Sequence, residues 1–179
     1  MILLYAGRLP SAEGFPDANV PFVAAEVARL LRGLSPRLVV GSGAAGADLT
    51  VLDAAISLGI AARVVLAGSV DEFRASSVAE GWGERYRRVL ASSGVEVIEL
   101  PRVPGDDEAS YRAVTARIWA EGGGHDESRV VLTLSGERPG GGHTEELVDL
   151  QLQAGGLALQ IDPAETSDDG PRVYVASAG

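Results

Sequence analysis

The chain has 179 residues, 46% hydrophobic and 22% charged, with a net charge of −10, enough for one globular domain with a real core. It holds no cysteine and all 15 basic residues are arginine, which excludes disulfides, zinc–thiolate sites, cysteine nucleophiles, Schiff-base chemistry and a Walker-type loop with its Gly-Lys-Ser/Thr. The acidic balance argues against sequence-independent nucleic-acid binding, which needs clustered cations, and the scattered acids read as a solvated surface.

Ile2 to Ala6 reads as a first strand, ending at Gly7-Arg8. Its apolar run is too short for a signal peptide or a bilayer span, so the expected location is the cytoplasm with no membrane partner. After a loop with Pro10, Gly14 and Pro16, the residues Val23, Val27, Leu30, Leu31 and Leu34 recur at helical spacing. Pro36 closes that helix and Leu38 to Val40 forms a second strand. A helix carrying Leu49, Leu52, Ile56 and Leu58 follows a glycine loop and stops at Gly59.

Arg63 to Leu66 is a third strand. Val70 to Ser93 is a polar helical region broken at Gly81 and Gly83, and Val95 to Leu100 is a fourth strand closed by Pro101. A helix over Asp106–Ala120 puts Tyr111, Val114, Ile118 and Trp119 on its apolar side and ends in glycines from Gly122. Val130 to Leu134, a helix from His143 to about Ala154, and Leu157 to Ile161 complete the series. Beyond Pro163 the chain turns polar, with one last β-prone run at Arg172–Val175. Short apolar strands alternating with helices predict one doubly wound, Rossmann-like α/β domain: a mostly parallel sheet with helices on both faces. It spans residues 1–163, with 164–179 as a polar extension holding a candidate edge strand.

Two stretches carry chemistry. Gly41-Ser42-Gly43-Ala44-Ala45-Gly46 joins a strand to a helix. Glycines there allow close backbone approach, and the first helix amides have no partner within the helix, as a phosphate site requires. The spacing Gly41-x-Gly43-x-x-Gly46 also fits the dinucleotide fingerprint. That fingerprint needs an acid ending the next strand, about 20 residues on, where this chain has Leu66-Ala67-Gly68-Ser69, and the loop follows the second strand rather than the first. A mononucleotide-type site is therefore preferred over an NAD(P) site, with a purely structural glycine turn as the plain alternative. Asp48, in the first helical turn, either complements the helix dipole or serves as a carboxylate that holds a ribose hydroxyl or orients the loop.

The second stretch is Arg138-Pro139-Gly140-Gly141-Gly142-His143-Thr144-Glu145-Glu146. Thr144 can cap the helix and the glutamates suit its first turn, yet three successive glycines exceed what a cap needs. His143 is a candidate acid–base group, while His125 has no evident role. Trp82 and Trp119 suit a core. Arg85, Arg87 and Arg88 form a basic cluster that reads as a solvated helix face, or else as a phosphate contact. In doubly wound sheets ligands sit at the carboxyl ends of the strands, which brings Gly7-Arg8 beside both glycine loops.

Together these stretches resemble the SLOG superfamily of Rossmann-like nucleotide-binding domains, which includes the LOG phosphoribohydrolases and the DNA-processing protein A family. Pro139-Gly140-Gly141-Gly142-His143-Thr144-Glu145-Glu146 is similar to the LOG sequence Pro-Gly-Gly-x-Gly-Thr-x-x-Glu, with His143 in place of a glycine and one residue fewer before the glutamates. Gly7-Arg8, Phe15-Pro16, Gly41-Ser42, Gly46-Ala47-Asp48, Phe73, Ser77-Val78 and Trp82 to Leu90 resemble bacterial SLOG domains fused to signalling modules. The resemblance implies a nucleotide or nucleotide-derived ligand held by Gly7, Arg8, Gly41 to Gly46, Asp48, Gly140, Gly141, Gly142, His143 and Thr144, acting as a sensed signal. The alternative it implies is N-glycosidic hydrolysis of a nucleoside monophosphate, with Glu145 or Glu146 at the anomeric carbon. Losing one residue from a helix start rotates the side chains that follow by about 100°, which counts against hydrolysis. No metal or cofactor is expected, and a homodimer is an option because related folds pair.

Overall fold

The computed structural model describes residues 1–123, 128–136, 142–167 and 170–177. Its strands are β1 (Ile2–Gly7), β2 (Leu38–Gly41), β3 (Ala61–Ala67), β4 (Val95–Leu100), β5 (Arg129–Leu134), β6 (Leu157–Ser167) and β7 (Gly170–Ser177), arranged β4-β3-β2-β1-β5-β6-β7. The first six run parallel and β7 returns antiparallel along β6. Helices α1 (Val20–Leu34), α2 (Ala47–Ser57) and α4 (Gly83–Leu90) pack as one layer, and α5 (Asp107–Glu121) and α6 (His143–Gln153) as another. This is the α/β, Rossmann-like class that the alternation of elements predicts. No helix among the described residues is long and apolar enough to cross a membrane.

Helices on both faces explain why the central strands are apolar without alternation. Ile2, Leu3, Leu4 and Tyr5 of β1 are all buried, as are Val64 to Ala67 of β3 and Val131 and Leu132 of β5. By contrast, α1 lies on the surface of its layer and buries one stripe, Val23, Val27 and Leu31. It ends where Ser35 turns left-handed at φ 47°, its amide donating to the Leu31 carbonyl at 2.9 Å. The helix α2 sits between α1 and α4 and is buried on almost every side, which accounts for small Ala47 and Ala55 on it.

Three sequence expectations change. The polar region after Val70 resolves into α3 (Val70–Ser77) and α4, and Gly83 opens α4 rather than breaking a helix. Trp82 is buried, as expected of a core residue, with the Arg85 guanidinium 4.8 Å from its ring centre, but Arg85 and Arg88, expected on a solvated helix face or at a phosphate, both reach Asp53 of α2. Finally, β6 runs past Pro163 to Ser167, because β7 pairs with it across a register shift between Ile161 and Thr166. A shift of this kind tolerates a proline, and Asn19 Nδ2 holds it from outside by donating to the Pro163 and Ala164 carbonyls.

The strand sequence runs outward from β1 through β2 and β3 to β4, then crosses to β5 on the other side of β1. The carboxyl ends of β1 and β5 therefore flank the topological switch point, where such sheets bind ligands.

Candidate functional site

A cleft of about 310 Å³ opens at this edge. The end of β1 contributes Tyr5, Ala6 and Gly7, the turn after β2 contributes Ser42, Ala44 and Asp48, and α6 contributes His143, Thr144 and Leu147. Leu9 after β1, Phe73, Ser76 and Ser77 of α3, and Tyr111, Val114, Thr115 and Ile118 of α5 complete it. Of the residues singled out in the sequence, Gly7, Ser42, Ala44, Asp48, His143 and Thr144 meet on this one lining.

The turn after β2 owes its glycines to packing of the protein on itself. A Cβ on Gly41 would stand 2.3 Å from the Tyr5 ring, and one on Gly46 would stand 2.7 Å from the Arg8 carbonyl. Gly46 also has φ 86°, a left-handed conformation that favours glycine. Three of the turn's amides are engaged internally. That of Ala44 donates to Asp48 Oδ2 at 3.1 Å, that of Ala45 to the Ser77 carbonyl at 3.0 Å and that of Ala47 to the Arg8 carbonyl at 3.1 Å. Gly41, Gly43, Ala45 and Gly46 lie behind the cleft rather than on it. The Arg8 side chain does not line the cleft; its Nη1 would be 3.3 Å from a Cβ on Gly14.

Asp48 is 6% exposed. Burial raises its pKa from 3.8 to about 7, partly opposed by the Ala44 amide, which favours the ionised form. Tyr5 beside it is pushed well above its usual value by burial and then by the Asp48 charge. Its hydroxyl stays protonated and donates to the Ser42 carbonyl at 2.8 Å. Asp48 Oδ1 has no hydrogen-bond partner among the described residues.

On the opposite wall Ser77 joins three elements. Its carbonyl holds the turn after β2, its hydroxyl pairs with the Tyr111 hydroxyl at 2.8 Å, and the Ser76 hydroxyl lies 3.1 Å away. Arg102 Nη1 donates to Ser76 Oγ at 3.3 Å and its Nη2 to Asp107. The Tyr111 ring stands 5.6 Å from the His143 ring, tilted by 42°. Ser77, Tyr111, Thr115 and Tyr5 also line the cleft, and no sequence motif marks them as ligand-binding. The available signal was polar residues such as Ser110 and Thr115 on the buried side of α5.

The start of α6 differs from the expectation. Gly142, at φ 117°, is the N-cap and supplies no side-chain cap, so Thr144 is freed to line the cleft. Glu145 faces an adjacent cleft of about 310 Å³ with Thr133, Ser135, Asp149 and Gln160. Glu146 lines neither, and its carboxylate lies 3.9 Å from His143 Nδ1, too far for the hydrogen bond that this buried nitrogen lacks. His125, Arg138, Pro139, Gly140 and Gly141 lie outside the described residues. No group of three or more His, Cys, Asp or Glu side chains among the described residues could hold a metal ion. No protein-family model matches the sequence, and no curated protein matches it.

Proposed function

We propose that this protein binds a mononucleotide or a nucleotide-derived signal in the cleft and senses it without cleaving it. The observation that carries the reading is the meeting, on one lining at the switch point, of the end of β1, the turn with Asp48, and His143-Thr144 of α6. Its volume is at the lower end of the roughly 300–1,000 Å³ typical of small-molecule pockets. That suits one nucleoside unit and leaves most of a dinucleotide outside. Phe73, Val114, Ile118 and Leu147 give a base an apolar bed, and the hydroxyls of Ser77, Tyr111 and Thr115 give it polar partners.

The phosphate would lie at the start of α6, whose first amides face no capping side chain among the described residues and carry the positive end of the helix dipole. The turn after β2 suits a phosphate less well, because three of its amides are occupied. Sensing is favoured over N-glycosidic hydrolysis because Glu145 and Glu146 lie off the cleft that would hold the sugar. The resemblance to SLOG signalling domains points the same way.

Thermal unfolding with AMP, CMP, GMP, UMP, their nucleosides and NAD tests this. A ligand at 100 times its Kd adds about 2.7 kcal/mol, roughly 5–10 °C for a chain of this size. At least one mononucleotide should stabilise more than its nucleoside, with no free base on chromatography. No shift with any mononucleotide sinks the proposal. Free-base release that disappears in Glu145→Gln or Glu146→Gln replaces it with the hydrolase.

A further inference from the structure

Asp48 is the one carboxylate on the cleft lining among the described residues, and nothing in the fold accounts for both of its oxygens. Oδ2 is explained: it accepts from the Ala44 amide and fixes the turn. Oδ1 has no partner among the described residues, and Asp48, 6% exposed as a residue, lines the cleft. Among the described residues the sealed polar atoms that lack a partner are His143 Nδ1 and Gln151 Oε1, so Oδ1 of Asp48 is open to the cleft, where a ligand can reach it. The titratable groups sharing the lining are Tyr5 from β1, Tyr111 from α5 and His143 from α6, and α3 adds only Ser76 and Ser77 of polar character. None of them bonds to Oδ1: the Tyr5 hydroxyl donates to Ser42, that of Tyr111 pairs with Ser77, and His143 Nδ1 is buried without a hydrogen bond among the described residues. No arginine is on the lining among the described residues.

We infer that Asp48 is the specificity residue of the cleft, its Oδ1 accepting a hydrogen bond from a donor on the ligand, a sugar hydroxyl or a base N–H. This rests on the nucleotide reading and adds to it a requirement about the ligand. In the empty cleft the carboxyl is protonated through much of the neutral range, since burial disfavours its charge. A ligand that donates to it favours the carboxylate, so the acid gives up its proton to solvent as the ligand enters. Binding is thereby tied to pH; a ligand that offers only an acceptor at this point would instead accept from the protonated acid, and its affinity would fall as pH rises.

The test is calorimetry of the full chain with AMP, CMP, GMP and UMP and their 2′-deoxy and 3′-deoxy counterparts. It is run at pH 6, 7 and 8 in two buffers of different ionisation enthalpy. The nucleotide that binds should release close to one proton at pH 6 and almost none at pH 8. Its affinity should rise up to about tenfold per unit as pH climbs toward the carboxyl's pKa. Asp48→Asn keeps an acceptor for the Ala44 amide, and should bind about tenfold or more weakly at pH 8 with no proton release. A weakened deoxy analogue identifies a sugar hydroxyl as the donor; undiminished deoxy analogues with proton release identify the base. Should a nucleotide bind without releasing a proton, and equally well to Asp48→Asn, this inference is wrong while the nucleotide reading stands. Absence of binding by all four nucleotides removes both. Run beside the matching nucleoside, which has no phosphate to ionise at about pH 6, the proton count needs no variant, so a misfolded Asp48→Asn would not shelter the idea.

Discussion

Two helices begin after glycines at the carboxyl edge of the same sheet, and their starts are physically unlike. At the start of α2 the turn is packed against the Tyr5 ring and the Arg8 carbonyl, its helix is buried nearly all round, and three amides are bonded to Asp48, Ser77 and Arg8. At the start of α6 a Cβ on Gly142 would meet no described atom within 4 Å, and the residues from Gly142 to Glu146 are half-buried or exposed. A glycine marks close approach or a special backbone angle, but does not say whether protein or ligand makes the approach. At α2 the protein makes it. At the α6 start no side chain among the described residues caps the first amides, and Asp48 is the point where the first start reaches into the cleft.

The largest effect should come from that point. The Asp48 pKa is higher in the folded chain, about 7, than its ordinary 3.8, so the folded state holds a proton that the unfolded state has lost. Stability from this group is therefore full only below the ordinary value of 3.8, falls as pH rises, and is gone above about pH 7. At about 1.4 kcal/mol per unit, the loss approaches about 4 kcal/mol. Denaturant unfolding of Asp48→Asn and of the native chain from pH 5 to 8 should give curves that diverge as pH rises, the variant ahead. The difference isolates Asp48 from carboxylates such as Glu72 and Glu121, whose lowered pKa values act with the opposite sign at lower pH. Parallel curves would mean that Asp48 is solvated, and the two helix starts would then be less different than the packing indicates.

A matched pair of glycine substitutions tests the contrast directly. Gly41→Ala drives a methyl into the buried Tyr5 ring and should cost about 3 kcal/mol or more, roughly 6–12 °C in Tm. Gly142→Ala meets no atom of the described residues and carries the backbone strain of φ 117°, about 1–2 kcal/mol, but should lose most of the stabilisation that a mononucleotide confers. If Gly41→Ala is the milder change, or Gly142→Ala leaves the ligand shift intact, the division of roles between the two starts is reversed.

The same contrast separates what the residues declare from what they withhold. The spacing of Val23, Val27 and Leu31 and the runs of β1, β3 and β4 are local, and they place these elements within a residue or two. The order of the elements then dictates the edge at which Gly7, Asp48 and Thr144 meet. Other features depend on contacts that no local pattern encodes. The Ser77–Tyr111 pair spans 34 residues, and Asn19 reaches a strand irregularity 144 residues away. Thr144 lost the capping role its type suggests because the helix begins two residues earlier, at a glycine cap.

The smallest expected effect concerns the arginines of α4, which in the sequence could be solvated or could hold phosphate. Arg88 Nη2 donates to both oxygens of Asp53 at 2.8 and 2.9 Å, and Arg85 Nε lies 3.4 Å from the same carboxylate. They tie α4 to the middle of α2, far along the helix from the cleft, and thus belong to the packing that immobilises the first helix start. Arg88 is 60% exposed and Asp53 29%, so solvent screens the pair, and its contribution should be under about 1 kcal/mol. Arg88→Ala should therefore lower Tm by no more than a few degrees, with the deficit shrinking as salt is raised. The nucleotide-induced shift should be unchanged in the same variant. A lost shift would move the phosphate from the start of α6 to the far side of α2.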